Sequence, residues 1–133
     1  MKTIIVLYRR ANTGKTTTLN YLIGLLDKSK EEMQSLTKDR RVTISYGNKS
    51  IAVTTQGDNK YEIEENIKFF ENEDCDILVT ATRSRGQTTD GIYEYHKKIN
   101  AKIIWIEKNL SVTLKDLINQ AQAKDIQATI DTL

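Results

Sequence analysis

The sequence predicts a three-layer α/β fold: a mostly parallel sheet of five strands, with a β-hairpin at strands two and three, and helices on both faces. Three observations carry this. Strand-like and helix-like segments alternate in the order β-α-β-β-α-β-α-β-α. The first strand is a continuous β-branched run of the kind buried on both faces of a parallel sheet. The segment that follows it carries apolar residues at helical spacing.

Thr3-Ile4-Ile5-Val6-Leu7-Tyr8 is that first strand, and Leu19, Leu22, Ile23 and Leu26 form the helical stripe after an intervening polar loop. Ser29 to Arg41 is charged and reads as mobile. Val42 to Tyr46 and Ser50 to Thr55 then flank Gly47-Asn48-Lys49, a hairpin with a short turn. Asp58 or Asn59 caps the next helix, with Ile63, Ile67 and Phe70 inward. Ile77 to Ala81 is the fourth strand. A loop with Arg83, Arg85 and Gly86 leads to a helix with Ile92, Tyr95 and Ile99 inward, and Lys102 to Ile106 is the last strand. Thr113 with Asp116 suggests a capping box for a final helix burying Leu114, Leu117, Ile118 and Ala121, with a break before Ile126 and Ile130.

At 133 residues, with no repeat, linker or proline, the chain is expected to form one domain over 1–133. A formal net charge of +2 gives no global field to draw it onto nucleic acid, and a nucleic-acid partner is not expected. The single Cys75 excludes an internal disulfide. No leader-like or long apolar stretch is present, so a cytoplasmic protein without a membrane partner is expected.

The chemistry concentrates in Arg9-Arg10-Ala11-Asn12-Thr13-Gly14-Lys15-Thr16, between a buried-type strand and an amphipathic helix. Triphosphate binding needs backbone N–H groups lining a concavity, a helix N-terminus behind them and a cation reaching the outer phosphates. Here the sequence resembles the P-loop NTPase superfamily through its Walker A motif, over Arg9 to Thr16 alone. The resemblance implies a P-loop NTPase-like sheet and ATP or another nucleoside triphosphate held by Ala11, Asn12, Thr13, Gly14, Lys15, Thr16 and Thr17. It gives Lys15 the β and γ phosphates and Thr16 a Mg²⁺ ion. One position departs: the motif's first glycine is Arg9. Thr17 is read as a first-turn helix residue that could also touch the α-phosphate.

Such a Mg²⁺ is steadied by an acid at a neighbouring strand end, and Asp58 is the candidate, against a helix-capping role. Gln56 and Gly57 could instead sense the γ-phosphate. Arg83 and Arg85 could neutralise charge in a transition state, or form only a solvated basic loop. Asp74 and Asp76 read as solvated loop charges, His96 as exposed, and Trp105 and the tyrosines as packing groups. Two functions compete. One is a Mg²⁺-dependent NTP hydrolase or small-molecule phosphotransferase, with Lys15, Arg83 and Arg85 as catalytic residues and a small-molecule acceptor. The other is a nucleotide-dependent switch acting on a protein partner. With Asn48-Lys49 followed by Ser50-Ile51, no Asn-Lys-x-Asp stretch specifies guanine, and ATP is expected rather than GTP.

Overall fold

The computed structural model describes residues 1–32 and 35–133. In chain order these form β1 (Thr3–Tyr8), α1 (Lys15–Leu26), a 3₁₀ turn (Lys28–Lys30), β2 (Arg41–Tyr46), β3 (Lys49–Thr54), α2 (Lys60–Asn72), β4 (Ile77–Thr82), α3 (Gln87–Ile99), β5 (Lys102–Glu107) and α4 (Lys115–Asp131). The strands make one mixed sheet ordered β2-β3-β4-β1-β5. β3, β4, β1 and β5 run parallel, and β2 pairs antiparallel with β3 through the turn at Gly47, whose φ of +62° suits a residue without Cβ.

Because strand side chains alternate, each face of the sheet takes its own core. Ile5, Leu7, Val53 and Val79 pack with Leu19, Leu22 and Ile23 of α1 and with Ala123, Ile126 and Ile130 of α4. Ile4, Val6, Ala52 and Leu78 pack with Ile63 and Phe70 of α2 and with Ile92 and Tyr95 of α3. Consequently α1 leaves the sheet on one face while α2 and α3 leave it on the other. The C-terminal ends of β1, β3 and β4 open into the crevice between these departures, which is where open α/β sheets place ligands.

Several expectations need correction, three of them in α4. Helix α4 is continuous through Ile126 and Ile130, and it buries Asn119, Gln122, Ala123, Ile126 and Ile130. Leu114, Leu117 and Ala121 are exposed instead. The inward stripe begins with amides because these hold loops: Gln122 donates to Glu107 O and accepts from Asn109 N–H. Nor does Thr113 cap the helix. Leu114 stands at the N-cap, and its own N–H donates to Ser111 Oγ.

The segment between Ser29 and Arg41 is fastened rather than loose in its described part. Buried Asn20 donates to the carbonyls of Leu36 and Lys38 and accepts from Arg40 Nε. The expectation there also covered residues 33 and 34, which lie outside the described residues. His96 is half-buried, its Nδ1 within 3.0 Å of Ala101 O. Asp76 is a solvent-exposed charge as expected, and it also accepts from the Ser50 N–H and hydroxyl. Asn59, not Asp58, caps α2 by accepting from Glu62 N–H, which leaves the Asp58 carboxylate free for other work.

Candidate functional site

The loop from Arg9 to Gly14 climbs from β1 into α1 through two left-handed residues, Asn12 at φ +60° and Gly14 at φ +91°. Gly14 is the helix N-cap, and a Cβ on it would meet Asn119 Oδ1 at 2.8 Å, so both conformation and space require glycine. Thr18 N–H is the first to bond back into the helix, to Gly14 O. Among the described residues, no backbone N–H from Arg10 through Thr17 has a protein acceptor. Such a row of open donors at a helix N-terminus, where the partial positive charge of the helix also lies, favours an anion.

Lys15 is 6% exposed. Its Nζ donates to the carbonyls of Arg9 and Arg10 and lies 3.7 Å from Asp58 Oδ1. Burial pulls its pKa below the usual lysine value, partly offset by the Asp58 charge and reinforced by Arg83. Asp58 Oδ1 is buried and has no hydrogen-bond partner among the described residues. Thr16 donates its hydroxyl to Thr55 O at 3.0 Å. A cavity of about 340 Å³ opens over Asn12, Thr13, Gly14, Lys15, Thr16 and Thr17, with Thr37 and Asp58 on its far side. Of the expected binding residues only Ala11 does not line it.

The segment carrying Asp58 is held on three sides. Thr16 holds the Thr55 carbonyl, Asn66 Nδ2 donates to Gln56 O at 2.7 Å, and Arg83 Nε donates to Asp58 O at 2.8 Å. Gly57 lies so close to β4 that a Cβ would approach Ala81 O to 1.7 Å. Asn66, fully buried in α2, also accepts from Arg41 Nε of β2, and Arg41 pairs with Glu62 at 2.9 Å. Asp58 reaches Lys15 even though β4 stands between β3 and β1.

No match is found. The chain is similar to no family model, no curated protein and no solved structure at a significant level. The site is therefore read from its own geometry.

The two arginine candidates separate. Both are exposed, but Arg83 is tied to the Asp58 loop, whereas Arg85 has no side-chain partner among the described residues. Arg9, in the glycine position of the motif, swings its guanidinium to Glu107 at 3.0 Å and lines neither cavity beside the loop. Its carbonyl alone serves the site.

Sequence reasoning missed the second flank of this loop. A cavity of about 260 Å³ lies between Asn12-Thr13-Gly14 and the β5–α4 connection, lined also by Arg10, Lys108, Asn109, Ser111, Lys115 and Asn119. Lys108 is 1% exposed, its Nζ donating to Asn109 O, with no carboxylate within ion-pair distance among the described residues. Burial, with the charge of Arg9 nearby, lowers its pKa to about 8. A lysine on a strand end gives no sequence signal, because only the fold decides that water cannot reach it.

Proposed function

We propose that the chain is a P-loop protein that binds a nucleoside triphosphate with Mg²⁺, its triphosphate over the Arg10–Thr17 loop and its nucleoside toward the β5–α4 connection. The observation that carries this reading is the run of unpartnered backbone N–H groups curled in front of the buried Lys15 ammonium. Cavities on both flanks of Gly14 give room for a ligand that extends past the phosphates.

The residues present also fit the metal. No cluster of three or more ligating His, Cys, Asp or Glu exists among the described residues, so the ion would rest on Thr16, on Asp58 and on phosphate oxygens. Asp58 Oδ1, buried, paired by charge with Lys15 and accepting no hydrogen bond among the described residues, supports that role. Bound there, Mg²⁺ would neutralise charge on the outer phosphates.

Lys15 is the group that changes partner. It now rests on two carbonyls and the Asp58 carboxylate, all of which a triphosphate would replace with charge-assisted contacts. Whether the phosphoryl group passes to water or to an acceptor turns on Asp58, the one carboxylate that lines the cavity among the described residues, which stands beside Lys15. Arg83, whose Nε holds the Asp58 carbonyl, would act by steadying that loop and would have to turn toward the phosphates to meet charge developing there.

A switch is the second reading, favoured by the chain of contacts from Asp58 through Gln56 and Asn66 to Arg41 on β2. Calorimetric titration of nucleotide with Mg²⁺, beside phosphate-release kinetics, tests both. Lys15→Ala should weaken triphosphate binding at least tenfold, since charge-assisted contacts are each worth about 1.5–3 kcal/mol. Unchanged affinity in that variant rejects the reading. Fast turnover in the unaltered chain supports the hydrolase; tight binding without turnover supports the switch.

A further inference from the structure

Lys108 is a buried cation with a backbone acceptor at Asn109 O but no counter-ion among the described residues, an arrangement that costs stability unless something supplies the missing charge. It lines the cavity beside Gly14, where Arg10 and Lys115 add positive charge and, among the described residues, no carboxylate lines the space. Asn119, the other buried side chain there, has its Oδ1 occupied by the Thr18 hydroxyl at 3.2 Å, so the group it has left to offer is its amide Nδ2, which has no acceptor among the described residues. Both buried side chains therefore offer donors.

Resting on the proposed nucleotide reading, we infer that this cavity takes the base and selects one presenting a carbonyl oxygen, a 6-oxopurine, over a 6-aminopurine. A 6-oxopurine offers the adjacent O6 and N7 acceptors that a lysine addresses well, whereas adenine would turn its own amino donor toward the ammonium. A donor facing a buried donor leaves both unpaired, and that mismatch discriminates more strongly than a lost contact in water. No lining carboxylate reads a 2-amino group, so guanine and hypoxanthine both qualify. This reverses the ATP preference expected from the missing Asn-Lys-x-Asp stretch.

The test is calorimetric titration of the unaltered chain and of Lys108→Met with GTP, ITP, ATP and inorganic tripolyphosphate, all with Mg²⁺. GTP and ITP should both bind on the order of tenfold or more tighter than ATP. Lys108→Met should abolish that gap, whatever it does to the affinity for tripolyphosphate. ATP binding as tightly as GTP and ITP in the unaltered chain overturns the inference, whether or not the variant folds. So does a gap that survives in a folded Lys108→Met. Tripolyphosphate binding without any base preference rejects this inference alone, while failure of every ligand to bind rejects the proposed function as well.

Discussion

Asp58 shows how one carboxylate is released for chemistry. A neighbouring asparagine caps α2 in its place, and the Asp58 oxygen nearest Lys15 has no other partner among the described residues. If that oxygen serves Mg²⁺, Asp58→Asn should weaken Mg²⁺-supported nucleotide binding about tenfold or more, the scale of a lost charged contact. Metal-free binding should hold or improve, because a negative charge beside the phosphates has gone. Titrating Mg²⁺ against nucleotide in both proteins checks this. Equal Mg²⁺ dependence would remove Asp58 from the metal site and leave it as the resting partner of Lys15.

At the scale of elements, the segment between β3 and α2 is shaped by contacts from α1, α2 and the β4–α3 loop together. Gly57 is its tightest point, because the backbone there lies against Ala81 O with no room for a Cβ. Gly57→Ala must lift the segment off β4. Overpacking of this kind costs roughly 1–3 kcal/mol, to be read from the denaturation midpoint. The same displacement should weaken Mg²⁺-dependent binding, since Asp58 follows directly. A variant as stable as the parent would mean that the segment can relax without loss.

Across the whole molecule, Lys108 is a buried cation that costs the fold stability. Its folded pKa of about 8 lies below the ordinary 10.5, so between those values the unfolded chain holds more protons and folding gains as pH rises. Below about pH 8 both states are charged and the full penalty applies. Lys108→Met should therefore stabilise the ligand-free protein at pH 7 by roughly 1–3 kcal/mol. Above pH 10 that advantage should shrink, because the wild-type amine is then neutral in the folded state. Chemical denaturation of both proteins at pH 7 and pH 10 measures the difference, and an advantage independent of pH would place its origin in packing rather than charge.

By itself the sequence determined the element order, the hairpin, the inward faces of α1 and α2, and the loop holding Lys15. Each of these is written in local patterns: apolar runs, helical spacing, and glycine where a turn demands it. It also put Asp58 beside Lys15, since strands of one direction end at one edge of a sheet. Only the tertiary structure decided the rest. The inward face of α4 was misread because Asn119 and Gln122 are polar and buried, serving Thr18 and the β5–α4 connection across the chain. That Arg9 leaves the site, that Arg83 joins it through a carbonyl, and that Lys108 loses its water depend on partners far away in sequence. Burial and long-range hydrogen bonding belong to the packed chain, and no window of neighbouring residues contains them.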